Sequence, residues 1–107
     1  RRLATHRRRP YMSRKPVLFE KEMAITHRDF TRLLARALGH NHFKPVDGKI
    51  SVADGERTID ITLSEESVRR IAQVALPITF VCFALTGYDD AAAEMARIDL
   101  HFQRGGG

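Results

Sequence analysis

Asp47-Gly48-Lys49-Ile50-Ser51-Val52-Ala53-Asp54-Gly55-Glu56-Arg57-Thr58-Ile59-Asp60-Ile61-Thr62-Leu63 is the stretch on which the reading of the fold turns. Its second half alternates. Ile59, Ile61 and Leu63 fall on one side and Thr58, Asp60 and Thr62 on the other, the period of a strand with one dry and one wet face. Asp-Gly pairs accept positive φ and match the twist of tight hairpins. Asp47-Gly48 and Asp54-Gly55 therefore predict two turns in a three-strand meander over 43–46, 49–53 and 57–63. Ile50, Val52, Ile59, Ile61 and Leu63 should share its buried face.

On the N-terminal side, Val17 to Ile25 reads as a strand with Phe19, Met23 and Ile25 on one face and Leu18, Glu20 and Glu22 on the other. Lys21 interrupts the apolar side, which suits an edge position. Thr26-His27-Arg28-Asp29 supplies a cap oxygen and an acid for the positive end of a helix. Phe30, Leu33, Leu34, Ala37 and Leu38 follow at the spacing of one buried helical stripe, and Gly39 ends it.

On the C-terminal side, Ser64 with Glu65 and Glu66 predicts a short helix that turns Val68, Ile71, Ala72 and Ala75 inward and ends before Pro77. Ile78–Leu85 is apolar on both faces, as in an interior strand. A last helix should run from about Asp89 to Gln103, with Met95, Ile98 and Phe102 buried. The predicted order is β-α-β-β-β-α-β-α. The fold class is α+β, a largely antiparallel five-stranded sheet with helices packed mainly on one face. Ala24-Ile25-Thr26-x-x-Asp29 is echoed sixty residues on by Ala84-Leu85-Thr86-x-x-Asp89. Shared capping needs account for that as readily as duplication does.

With 107 residues and 43% hydrophobic composition, the chain has the size and the apolar content of one domain. It divides into a basic arm over 1–16 without apolar periodicity, a single domain over 17–103 and a flexible tail over 104–107. Met12-Ser13 reads as a natural start, which would make residues 1–11 upstream sequence; the alternative is a native basic arm. The formal charge of +5 resides in the arm, because residues 17–107 hold 11 basic and 13 acidic side chains. A nucleic-acid surface normally carries its basic excess on the fold itself. No apolar run is long enough to span a membrane, and one cysteine makes no internal disulfide, so a cytoplasmic protein is the expectation.

The chemistry-bearing residues are few. Arg28, Arg32 and Arg36 line one face of the first helix, where a row of guanidiniums could hold phosphates or an acidic partner; Arg69 and Arg70 would extend it if the second helix lay beside the first. His40-x-His42 is a weak metal pair that lacks further ligands. Cys82 sits mid-strand in apolar surroundings, as a structural thiol does. No nucleophile elbow, phosphate loop or dinucleotide motif is present, and no cofactor is implied. Gly105-Gly106-Gly107 resembles the tail of ubiquitin-like sulfur carriers, whose folds reach it from a strand rather than a helix.

Three functions follow, in this order: a non-enzymatic interaction or regulatory module, self-associating as a homodimer or holding another protein; a nucleic-acid accessory using residues 1–16 and the arginine row; and a small enzyme with its site at a subunit interface. Ile78–Leu85 argues for the first. Three helices in so short a chain would leave part of one sheet face open, the alternative being that they divide between the two faces and cover the strand within one subunit; Val81, Phe83 and Leu85 are the candidate interface residues.

Overall fold

The computed structural model describes residues 15–104, so residues 1–14 of the basic arm over 1–16 and the tail glycines 105–107 lie outside the described residues. Five strands and two helices follow one another as β1 (Val17–Met23), α1 (His27–Leu38), β2 (Lys49–Asp54), β3 (Arg57–Leu63), β4 (Ser67–Ile71), β5 (Val74–Thr86) and α2 (Ala91–Arg104). Every strand pair is antiparallel, in the order β1-β5-β3-β2, with β4 on β5 as well. The class is α+β, with both helices on one face.

The first helix forms where the capping residues predict. Thr26 Oγ1 accepts from the Asp29 amide at 3.1 Å, and Gly39 closes the C-terminus in the left-handed conformation. Phe30, Leu33, Leu34 and Ala37 are buried against the inward side of the sheet. Phe30 contacts both Phe83 of β5 and Phe102 of α2, with ring centroids 6.0 and 5.0 Å apart. Ile50, Val52, Ile59, Ile61 and Leu63 are all in this core. Lys21 also points inward, and its ammonium meets Asp99 of α2 at 2.8 Å, which pairs the charge that interrupts the apolar side of β1. α2 starts at Ala91, capped by Asp90 Oδ1 on the Ala93 amide at 3.0 Å, so Asp90 rather than the Thr86-x-x-Asp89 echo begins it.

Two predicted elements are corrected. The segment 43–46 is not a strand; only Val46 bridges Lys49, around Asp47-Gly48 with both φ positive. Ser64–Ala75 is not a helix but a hairpin. β4 and the first half of β5 pair from Ser67↔Ile78 to Ile71↔Val74, around Ala72-Gln73. Val68 and Ile71 are exposed rather than turned inward. The helical spacing of Val68, Ile71, Ala72 and Ala75 fits the alternation of a two-sided strand equally well. Valine and isoleucine favour strand, and β3 already runs beside β5. The turn carries no glycine; Ala72 adopts φ 55°, which concealed it from a reading of turn residues.

β3 and β4 act as one long strand with a bulge. Leu63 opposes Val81 and Ser67 opposes Ile78, so Ser64–Glu66 face only Thr79 and Phe80. Ser64 accepts and donates to the Phe80 backbone, both at 2.9 Å. The start of α1 holds the bulge: His27 Nε2 meets the Ser64 carbonyl at 2.6 Å, and the His27 amide donates to Glu66 Oε2 at 2.7 Å. A carboxylate at that helix end is favourable. Because the Phe80 backbone groups face Ser64, alternation turns those of Pro77 the other way. There β1 has already ended at Met23, opposite Thr79. Proline thus occupies an open edge, where its missing N–H leaves no ladder bond unmade and discourages strand addition.

Candidate functional site

The helices occupy one side of the sheet, and no other described element covers its opposite side. Four strands contribute alternate residues to this face. Cross-strand register sorts them into rows: Glu22, Phe80 and Ser64; Glu20, Cys82, Thr62 and Lys49; Leu18, Ala84, Asp60 and Ser51. Ser51 Oγ donates to Asp60 Oδ1 at 2.7 Å across the third row. The same side of β5 continues into the hairpin through Ile78, Leu76 and Val74, with Ile71 opposite Val74. Ile78 is buried yet stands outside the core cluster.

This face leaves large apolar side chains in water. Leu18 is 59% exposed, Phe80 53%, Ile71 55% and Val74 55%. They fall into separate groups, Phe80 in the row of Glu22, and Ile71 with Val74 at the hairpin, with the buried Ile78 between them on β5. A shallow depression of about 490 Å³ lies beside Phe80, floored by Thr62, Ser64 and Cys82. The Cys82 thiol is free and half-buried. Arg69 pairs with the outward carboxylate of Glu22, which brings the hairpin's guanidinium onto this side. Glu20 and Lys49, at opposite edges of one row, enter no salt bridge among the described residues.

The candidate interface residues are placed differently from the expectation. Val81, Phe83 and Leu85 are 2, 0 and 1% exposed and form the core under the helices. The outward residues of β5 are their neighbours Phe80, Cys82 and Ala84. Sequence alternation separates these two sets but does not say which one the helices cover. Arg28, Arg32 and Arg36 are exposed on α1, where Arg32 lies 3.6 Å from Asp29. Arg69 and Arg70 are on β4, and the sheet separates Arg69 from the α1 row. The five arginines do not make one patch. His40 and His42 stack at 5.0 Å, with His40 Nδ1 accepting the His42 amide at 3.0 Å. Among the described residues no group of three or more histidines, cysteines and acids is arranged to hold a metal ion. Nor is any described helix long and apolar enough to cross a membrane.

Two further clefts are lined by charge that is already paired. One, of about 530 Å³ between the end of β1 and both helices, contains the Lys21–Asp99 and Asp29–Arg32 pairs. The other, of about 420 Å³, joins the β2–β3 hairpin to α2 through Asp54, Arg57, Tyr88, Glu94 and Arg97. There Arg57 lies 5.2 Å over the Tyr88 ring, and Arg97 donates to Glu94 and to the Ala37 carbonyl at 2.8 and 2.9 Å. Hydrogen bonding to Asp54 raises the pKa of Arg57, and hydrogen bonding to Glu94 raises that of Arg97. Burial, then the Glu94 charge, pushes the Tyr88 phenol up. Each guanidinium has its own carboxylate, so the cluster clasps the fold rather than presenting free cations to an anion. No separation along the sequence signals it.

The chain matches no family model, no curated protein and no solved structure.

Proposed function

We propose that this chain is a small interaction module that works as a homodimer closed through the outward face of its sheet. The observation that carries the reading is the set of large apolar side chains left exposed on one side of β5 and the hairpin, Phe80, Val74 and Ile71. A second copy is the occupant that supplies a matching apolar set. The area suffices: strand spacing and rise give about 19 by 23 Å for the four-stranded face and about 10 by 17 Å for the hairpin. Two such footprints bury roughly 1,200 Å², the lower bound of a stable interface. Pro77 discourages strand addition at the open stretch of β5 beyond the end of β1.

The test is Phe80→Glu. Phe80 is half-exposed in the single chain, so the variant should keep the parent's circular dichroism while sedimenting as a monomer, with a urea midpoint that falls only to that of the parent diluted below its dimer constant. A variant that remains dimeric would remove the sheet face as the interface. Arg28→Ala/Arg32→Ala/Arg36→Ala is the companion. Retention of nucleic acid by the parent that this variant loses, with no dimer in either, would favour a phosphate-binding helix face instead.

A further inference from the structure

We infer that the two copies are related by a two-fold axis parallel to their strands, which lays each β1 over the partner's β2 and sets the two hairpins side by side. The inference rests on the homodimer reading above and adds its geometry. Two sheets packed face to face with aligned strands have two simple in-plane axes. One runs along the strands and the other across them. They put different side chains in contact, and charge and coverage choose between them.

An axis across the strands lays each strand over its own copy. β1 then faces β1, and with the axis on the Cys82 row Glu20 meets the partner copy's own Glu20 and Lys49 its own Lys49. Like charges brought together at an interface are costly. That axis also sends the hairpins off in opposite directions, leaving Ile71 and Val74 in water.

An axis along the strands, between β5 and β3, keeps the rows and exchanges their ends. Glu20 and Lys49 end the same row, on β1 and β2, with Cys82 and Thr62 between them. The rotation therefore brings Glu20 of each copy over the partner's Lys49, twice per dimer. Neither side chain has a salt-bridge partner within the chain among the described residues. In the next row Phe80 comes over the partner's Ser64, at the edge of the depression floored by Thr62, Ser64 and Cys82. At the hairpin, Val74 comes over the partner's Ile71, so the two most distal apolar residues cover each other.

Two measurements on the full chain decide it. The first is charge reversal. Glu20→Lys or Lys49→Glu alone should weaken the dimer by about tenfold or more, because each substitution sets like charges together twice. The two together should restore it to within a few-fold of the parent. The second is the distance between nitroxide labels on Gln73→Cys in a Cys82→Ala background. Side-by-side hairpins put the labels within about 25 Å, given a sheet spacing of about 10 Å and the label arms. The crosswise axis puts them about 60 Å apart, since each tip stands nine residues, at about 3.3 Å each, from the Cys82 row. A dimer sensitive to Phe80→Glu but with distant labels, or one indifferent to both single reversals, overturns the strand-parallel axis and leaves the homodimer standing. A monomeric parent overturns both.

Discussion

Replacing Gly48 by alanine should destabilise the fold about twice as much as the same change at Gly55. Both glycines have positive φ, at 74 and 65°. An L side chain in that region costs roughly 1 kcal/mol wherever it stands. At Gly55 the added Cβ meets nothing within 4 Å, so the conformational cost is the whole effect. At Gly48 it lands 2.8 Å from the Leu63 carbonyl oxygen, closer than real side chains approach. Backbone must move there, and the nearest bond at risk is the Leu63 amide to the Gly48 carbonyl, at 2.7 Å. A lost hydrogen bond adds about 1 kcal/mol. The expected totals are about 1 kcal/mol at Gly55 and about 2–3 kcal/mol at Gly48. At roughly 4–8 °C per kcal/mol for a domain of this size, the Tm values should fall by distinguishable amounts. Urea unfolding at equal protein concentration measures both, since dimerisation would otherwise shift the midpoints. Equal midpoints for the two variants, or a Gly48 variant matching the parent, would show that the Asp47-Gly48 turn is not held against β3 as described.

Ala72 carries the same left-handed strain at the tip of the hairpin, and no glycine relieves it. Ala72→Gly should stabilise the protein by about 0.5–1 kcal/mol, read as a higher urea midpoint. Tyr88 gives a pH dependence. Its pKa lies above the ordinary 10 in the folded protein, so its contribution is present below pH 10 and is lost as pH rises through the folded value. Tyr88→Phe should therefore flatten the loss of stability above pH 10, measured as urea midpoints at pH 8 and pH 11 in parent and variant. Arg28→Ala/Arg32→Ala/Arg36→Ala should leave the dimer constant unchanged, because those side chains stand on the helical side of the sheet; a weaker dimer by sedimentation would place the interface there.

The first helix, the β2–β3 pairing and most of the core were legible because capping, stripe and alternation all agree along 26–63. The hairpin over 67–78 was not. Its apolar spacing suits either period, and its turn is made by Ala72 rather than glycine. Losing that hairpin to a helix also hid the candidate site. With a helix over 64–75, both faces of β5 compete for cover, and alternation separates Val81, Phe83 and Leu85 from Phe80, Cys82 and Ala84 without ranking the two sets. What decides between them is the helix side of the sheet. That depends on the crossing from β1 through α1 and on Phe30 reaching Phe83, a contact between residues far apart in sequence. The bulge at Ser64–Glu66 and its hold by His27 are likewise products of tertiary approach, with no local motif to announce them.

Sedimentation equilibrium of the full chain across the micromolar range tests the central claim most directly. The account predicts a concentration-dependent shift from the 12.2 kDa chain to twice that mass. A mass that stays at 12.2 kDa at every accessible concentration would contradict it.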